Sequence, residues 1–254
     1  MEDFRRSFEE FLEREKVDYS LSQEGLYLFT GKSVKVALVP LSGPFPSEPL
    51  PGTIHLYEDI WRRDGGNVRK RLLAHLGRWR SIFARNCLAV KLDTPTANSF
   101  LQEYHTYGAA RSKYRYGLMY KEELVAVASF SSGRPMLRDG IPVKSFEWIR
   151  YASLPQSRIC GGMGKLLQAF VNDVHPEEVM SYADLEWSDG GVYRTLGFTP
   201  AGYRPPVDFA VDTSDWNRIS VRKLSNDKKY RRMDTGGNFQ IISNLGSIKY
   251  LRRF

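Results

Sequence analysis

Three glycines between a strand pattern and a helix pattern set the strongest limit on what this chain can fold into. The segment Glu147–Gln168 reads EWIRYASLPQSRICGGMGKLLQ, in which Gly161, Gly162 and Gly164 precede a helical run from Lys165. Such a turn leaves the first N–H groups of the helix without intrahelical acceptors, and glycine lets a neighbour approach closely. The segment therefore predicts a strand–turn–helix unit that either binds a phosphate group or packs a helix tightly on a sheet.

The patterns on both sides of this turn predict further strands and helices. From residue 87 they predict a strand, a helix, a hairpin, a strand, the turn with its helix, a strand, a short helix and a strand. The first of these helices, residues 94–104, is expected to have Thr94 as its N-cap and Pro95 in its first turn. This order predicts an α/β fold with a mixed central sheet flanked by helices.

The composition is that of a globular protein. Of 254 residues, 42% are hydrophobic and 26% charged, and two cysteines are too few for a disulfide framework. The charged N-terminal pattern and the lack of an apolar run of roughly 18 residues favour a cytoplasmic protein without membrane association. We expect three parts: an N-terminal α/β region, the mixed-sheet domain and a basic C-terminal extension (residues 1–86, 87–215 and 216–254).

The positive charge is unevenly distributed. The net charge is +8, and between Arg62 and Lys91 nine basic residues are accompanied by one acid, Asp64. A basic segment of this kind predicts contact with the phosphates of DNA or RNA, and the alternative is an acidic protein partner. The residues expected to bind nucleic acid are Arg62, Arg63, Arg69, Lys70, Arg71, Arg78 and Arg80.

A second segment, residues 181–198 with the sequence SYADLEWSDGGVYRTLGF, joins a strand to a short helix that carries Tyr193 four residues before Gly197. Together with the glycine-rich turn, and in this order, it resembles the GNAT acyltransferase superfamily. The resemblance implies a GNAT-like domain that binds acetyl-CoA or another acyl-CoA through the turn and transfers the acyl group to an amine. The chain departs from the family pattern because its glycines stand one place out after Arg158.

A longer resemblance is carried by the strings HLYEDIW, RKRLLAHLG, FARNCLAVK, FLQEYHTYGA and SNLGSIKYL. These are similar to phage-encoded Hef-like homing endonucleases, in which a Vsr-like nuclease domain precedes a GNAT-like domain. The resemblance implies that the N-terminal region is a small degenerate nuclease remnant. Only Glu48, Glu58 and Asp59 remain there as candidate ligands, and a Mg²⁺-dependent nuclease needs convergent carboxylates. We therefore expect no nuclease activity and no metal site.

The resemblance to GNAT proteins also implies roles for single residues. Tyr193 is the expected general acid for the leaving thiolate, or else a packing residue. His105 is a candidate base or substrate ligand, or a structural histidine. Asp184 and Glu147 are candidate cleft carboxylates; strand alternation would put Glu147 and Ile149 on one face and Trp148 and Arg150 on the other. The expected cofactor-binding residues are Ala152, Ser153, Leu154, Arg158, Gly161, Gly162, Met163, Gly164 and Lys165.

The sequence thus favours an acyl-CoA-dependent N-acyltransferase that acts on or near nucleic acid. A looser likeness to phage Mom-type proteins, which modify adenine in DNA, leaves a DNA base-modifying enzyme open. A DNA-binding module that kept the fold without catalysis is the remaining alternative.

Overall fold

The computed structural model of the chain describes residues 2–155, 157–226 and 238–254. Two compact units alternate along the chain. The first comprises Met1–Arg69, Ala183–Gly190 and Tyr203–Ile248, and the second comprises Lys70–Tyr182, Gly191–Gly202 and Lys249–Phe254. The division into continuous parts at residues 86 and 215 stays a prediction.

Helices occur in both units. The described residues form α1 (Glu2–Arg14), α2 (Glu58–Arg63), α3 (Gly65–His75), α4 (Thr94–Tyr104), α5 (Gly162–Val174), α6 (Gly191–Thr195) and α7 (Val221–Asn226). The expectation that Thr94 caps α4 is wrong: the N-cap is Asp93, whose carboxylate accepts the Thr96 N–H at 2.8 Å. Aspartate is an equally strong N-cap residue, and with Asp93 as the cap the helix begins one position earlier than expected, at Thr94. No helix in this part of the chain is long and apolar enough to cross a membrane.

The first unit contains two small sheets. One has the order β1-β2-β3-β4, with β3 and β4 parallel, and its strands are β1 (Tyr19–Leu21), β2 (Tyr27–Phe29), β3 (Lys35–Val39) and β4 (Thr53–Tyr57). The other has β14 (Asp208–Asp212) between β15 (Arg218–Ser220) and β16 (Phe239–Ser243). The apolar face of α1 is buried here, with Phe8 at 5.5 Å from Trp61 and 4.8 Å from Tyr27 between ring centroids.

The second unit is built on a large mixed sheet. Its strand order is β13-β17-β12-β10-β8-β7-β6, and β9 pairs with β10. The strands are β6 (Leu88–Lys91), β7 (Tyr114–Tyr120), β8 (Glu123–Phe130), β9 (Arg134–Arg138), β10 (Ile141–Ser153), β12 (Glu178–Asp184), β13 (Thr199–Arg204) and β17 (Ser247–Arg253). The pair β10 and β12 is parallel, so the predicted mixed central sheet flanked by helices is confirmed.

Helices α4 and α5 cover opposite faces of this sheet. Phe100 of α4 packs in a cluster with Val127 of β8 and Ala152 of β10. Phe170 of α5 stacks on Phe130 of β8, with ring centroids 4.0 Å apart. Residues 127 and 130 differ by an odd number of positions and therefore point to opposite faces. We call these the α4 face and the α5 face.

A two-stranded parallel sheet lies beside the glycine-rich turn. It pairs β5 (Arg80–Phe83) with β11 (Ser157–Cys160), and a 3₁₀ turn, Ala84–Asn86, follows β5. The sequence patterns did not predict either strand. Both are only four residues long and lack a clear alternation of polar and apolar residues.

Candidate functional site

The central feature of the second unit is a gap between two parallel strands. Strands β10 and β12 pair only from Ser145↔Glu178 to Glu147↔Met180. Beyond this point β10 continues to Ser153 alongside β8, whereas β12 continues to Asp184 without a β10 partner. The facing edges of the two strands therefore diverge, and an extended molecule with amide groups could pair with them.

A β-bulge lies on β10 at the start of the gap. Trp148 pairs with Phe130 and Arg150 with Ser129, so Ile149 is the extra residue. Because of the bulge, the expectation that Arg150 shares a face with Trp148 is wrong. Trp148 contacts Phe130 on the α5 face, but the Arg150 guanidinium donates from Nε to Gly108 O at 3.1 Å, in the loop that follows α4. Arg150 therefore shares the α4 face with Glu147.

The backbone of β10 offers specific donors to the gap. Leu154 N–H donates to Val125 O at 2.9 Å, on the side of β8. Because N–H directions alternate along a strand, the amides of Tyr151 and Ser153 point the other way, toward β12. Of the expected cofactor-binding residues at this end of β10, Ser153 thus directs its N–H to the gap, whereas Ala152 and Leu154 direct theirs to β8.

The glycine-rich turn forms the start of α5. Gly161 has φ +77° and stands at the N-cap without a side-chain cap. Lys165 N–H closes the first helical turn on Gly161 O at 3.0 Å. No described residue provides an acceptor for the N–H groups of Gly162, Met163 or Gly164. Three uncapped N–H groups at the positive end of a 13-residue helix favour an anionic group.

Close packing surrounds two of these glycines. A Cβ at residue 162 would stand 2.8 Å from Ile159 Cγ2, and a Cβ at residue 164 would stand 3.2 Å from Leu196 Cδ2. A side chain at either position would therefore first meet neighbouring side chains of the protein. Close packing and unpaired N–H donors therefore occur in the same five residues.

The two basic residues of the turn have protein partners. Lys165 Nζ donates to Ala84 O at 2.9 Å and to Cys87 O, which ties the 3₁₀ turn to α5. The Arg158 guanidinium lies over the Trp79 ring, 5.0 Å from its centroid. Lys165 therefore positions the turn, and Arg158 is the cation on β11, the strand that leads into it.

Tyr193 lies at the gap. Its hydroxyl is 2.8 Å from Ser181 Oγ, and Ser181 Oγ donates to Trp148 O at 3.0 Å. Since serine has one proton to donate, the Tyr193 hydroxyl is the donor to Ser181. The Tyr193 ring stacks on Tyr250 at 5.2 Å, and burial raises the pKa of the phenol. Tyr193 thus stays protonated at neutral pH. Sequence reasoning missed Ser181, whose only signal is its place on the strand that precedes Tyr193.

His105 follows α4 directly. Its Nδ1 accepts the Tyr107 N–H at 3.0 Å, which assigns the ring proton to Nε2. Burial, followed by the positive charges of Arg150 and Arg71, lowers the pKa of His105 to about 3. The imidazole is therefore neutral near pH 7 and a weak base.

The two candidate carboxylates lie in different units. Glu147 is half-buried on the α4 face, and its backbone N–H donates to Ser131 Oγ at 2.8 Å. Asp184 ends β12 and belongs to the first unit, where its Oδ1 accepts the Glu186 N–H at 3.0 Å.

The residues expected to bind nucleic acid have varied surroundings. Arg62 forms ion pairs with Asp3 at 2.7 Å and Glu58 at 3.2 Å, and the Arg69 guanidinium lies 4.7 Å from the Trp61 ring centroid. The Arg71 side chain donates to Thr106 Oγ1 at 3.3 Å. Two guanidinium–aromatic pairs lie around β5, with the exposed Arg80 over Tyr120 at 5.6 Å and the exposed Arg85 over Phe83 at 5.0 Å. Arg63, Lys70 and Arg78 lie on or beside α2, α3 and β5.

Two of the three carboxylates of the expected nuclease remnant bind cations of the protein itself. Glu58 accepts from Arg62, and Asp59 accepts from Arg218 Nη2 at 3.0 Å and from its Nε. Arg218 Nη1 also donates to Glu186 Oε1 at 2.9 Å. All three groups of this buried cluster, Asp59, Arg218 and Glu186, are at most 3% exposed. The absence of nuclease activity stays a prediction.

Comparison with known proteins gives structural neighbours only. No protein-family model matches the chain, and no curated protein matches it. Eis1 from Mycobacterium abscessus matches with 14% identity and a TM-score of 0.39 over 50% of this chain; this chain spans 34% of that protein's length.

Two acetyltransferases match a larger share of this chain. A GNAT family acetyltransferase from Elizabethkingia anophelis, crystallised with acetyl-CoA bound, has 10% identity and a TM-score of 0.38, over 66% of this chain and 99% of its own. The ribosomal-protein-S18-alanine N-acetyltransferase from Escherichia coli has 13% identity and a TM-score of 0.39, over 66% and 93%. The structural neighbours of the chain therefore include GNAT-family acetyltransferases.

Proposed function

We propose that this protein transfers an acyl group from acetyl-CoA or another acyl-CoA to an amine. The observation that carries the proposal is the gap between β10 and β12 next to the uncapped N-terminus of α5. The gap offers strand edges to an extended amide chain, and the helix offers N–H donors to a pyrophosphate. These two features suit the two halves of an acyl-CoA.

The residues of the second unit fit such a donor. The N–H groups of Gly162, Met163 and Gly164 would hold the pyrophosphate, and Arg158 would add positive charge. The amides of Tyr151 and Ser153 would orient the chain in the gap. Bound acyl-CoA supplies the thioester, whose acyl group is transferred.

The Tyr193 hydroxyl is the proposed general acid. It donates its one proton to Ser181 before the reaction, and it would leave that hydrogen bond to give the proton to the departing sulfur. His105 is a poor acceptor for the proton of the amine, because its pKa is about 3. Glu147, half-buried on the α4 face, is the proposed base.

Binding of the donor tests this proposal most directly. We expect acetyl-CoA at about 100 times its Kd to add roughly 2.7 kcal/mol to the free energy of unfolding, and thus to raise the melting temperature. Adenosine bisphosphate, which lacks the thioester arm, should raise it less. The same mixture supplied with a primary amine should release CoA thiol, measured with a thiol reagent. A melting temperature unchanged by acetyl-CoA would contradict the proposal.

A nucleic-acid surface is a second candidate, favoured by the guanidinium–aromatic pairs around β5. Arg80 and Arg85 can neutralise phosphates, and Phe83, 48% exposed, can stack on a base. We expect a gel shift with single-stranded DNA or RNA that weakens steeply with salt.

The variant R80Q should reduce the slope of log K against log salt by about one unit. The exposed Arg6 on α1, changed to Gln, is the control for equal loss of charge. Equal effects of the two variants would show that only the net charge matters and would end this assignment.

A further inference from the structure

We propose that the acceptor amine also carries an anionic group, a carboxylate or a phosphate, which Arg150 binds on the α4 face. The inference rests on the proposed function and names the substrate class of the same site. It starts from the β-bulge at Ile149, which turns Arg150 to the face that carries Glu147.

The Arg150 guanidinium is held by neutral groups alone. Its Nε donates to Gly108 O at 3.1 Å and its Nη1 to Ile149 O at 3.0 Å. Among the residues that the structure describes, no carboxylate lies within ion-pair distance of it, although it is half-buried. Two carbonyl groups fix the orientation of the fork without neutralising it, and three of its five N–H groups remain for a ligand. A carboxylate or phosphate matches that geometry.

The surroundings of Arg150 favour an anion further. His105 beside it is neutral and presents an Nε2–H donor, because Nδ1 is used by the Tyr107 N–H. Burial lowers the pKa of Arg150 itself, and an anionic partner would relieve that cost. The charge of Glu147 opposes this lowering of the Arg150 pKa, yet Glu147 forms no ion pair with Arg150.

The positions of Glu147 and Arg150 indicate that these residues contact the acceptor rather than the acyl-CoA. The N-terminus of α5, proposed to hold the phosphates of the donor, belongs to the helix that covers the α5 face. Glu147 and Arg150 lie instead on the α4 face, three positions apart on β10. Glu147 suits the ammonium end and Arg150 the anionic end, so an amino acid or an aminoalkyl phosphate has the required pair of charges.

Matched amines test the proposal. The rate of CoA release from acetyl-CoA is measured with 4-aminobutyrate against 4-aminobutyramide, and with phosphoethanolamine against ethanolamine. We expect kcat/KM to be at least about tenfold higher for one anionic member, because a hydrogen-bonded charge is replaced by a neutral group. A preference within the aminobutyrate pair assigns a carboxylate as the bound group, and a preference within the ethanolamine pair assigns a phosphate.

Variants of Arg150 assign the preference to this residue. R150Q should remove it, R150K should keep part of it, and R6Q, which removes an equal charge from the exposed surface of α1, should leave it intact. Equal rates for charged and neutral amines in the wild type would overturn the anion proposal while the acyltransferase proposal stands. A preference that survives in R150Q would overturn it as well.

A direct binding measurement separates the two proposals. Inorganic phosphate and succinate should raise the melting temperature of the wild type and have less effect on R150Q. If acetyl-CoA does not bind but this difference is seen, the acyltransferase proposal fails and the anion site stands. If both anions shift wild type and R150Q equally, the anion site is excluded whatever the outcome with acetyl-CoA.

Discussion

Replacing Tyr193 with phenylalanine is expected to lower kcat for acyl transfer by about 100-fold or more, with little change in the Kd for acetyl-CoA. General acid catalysis contributes about 10²–10⁴-fold, and the variant loses only the proton that the thiolate requires. The ring contacts with Tyr250 and Trp148 do not depend on the hydroxyl. Steady-state rates and calorimetric titration of the donor measure the two effects separately.

A matched control and the pH profile sharpen this test. Tyr114 packs against Phe146 and Phe170 on the same face of the sheet, so Y114F removes a hydroxyl away from the gap and should keep full activity. Burial raises the pKa of Tyr193, so the acid form, and with it the activity, should persist above the usual tyrosine pKa of about 10. An unchanged kcat in Y193F would remove Tyr193 from the mechanism.

Much of the fold could be predicted because local patterns coincide with the elements that form. The apolar spacing of α1, the hairpin of β7 and β8, and the turn before α5 depend on residues close in sequence. The mixed sheet follows from their order. The interleaving of the two units does not follow from this order, because strand pairs such as β12 with β17 join residues more than sixty positions apart.

The site could be predicted only in outline. Tyr193 and the glycines were identified from their order along the chain. The direction of Arg150 could not be, because one extra residue in β10 reverses the alternation and no glycine or proline marks it. The role of Lys165 could not be predicted either, because its ammonium group donates to carbonyls that lie about eighty residues earlier. Both outcomes depend on contacts between distant segments.

The buried cluster of the first unit should dominate its stability. Replacing Arg218 with methionine would leave Asp59 and Glu186 buried without their shared cation. Breaking a buried ion pair by removing one partner costs about 3–5 kcal/mol, and we expect a loss of that size in the free energy of unfolding, measured with urea. R6M, which breaks only exposed pairs of α1, should cost less than about 1 kcal/mol.

A triple variant separates the effect of unpaired charge on stability from the effect of packing. Changing Asp59 to Asn and Glu186 to Gln together with R218M removes all three charges, so most of the loss should be recovered if unpaired charge is its cause. If the triple variant is as unstable as R218M, the stacking of Arg218 on the Tyr57 ring, 4.7 Å from its centroid, is the larger contribution.

The cluster should also make stability depend on pH. One guanidinium serves two carboxylates, and burial, opposed by Arg218, raises the pKa of Glu186 from 4.5 to about 7. The folded protein therefore binds a proton that the unfolded chain releases above about pH 4.5, so stability falls as the pH rises from 4.5 to 7. We expect the free energy of unfolding to drop by about 2–3 kcal/mol between pH 5 and 8, at about 1.4 kcal/mol per pH unit in that window. E186Q cannot titrate and should show a flatter profile, and an unchanged slope in this variant would assign the pH dependence to other groups.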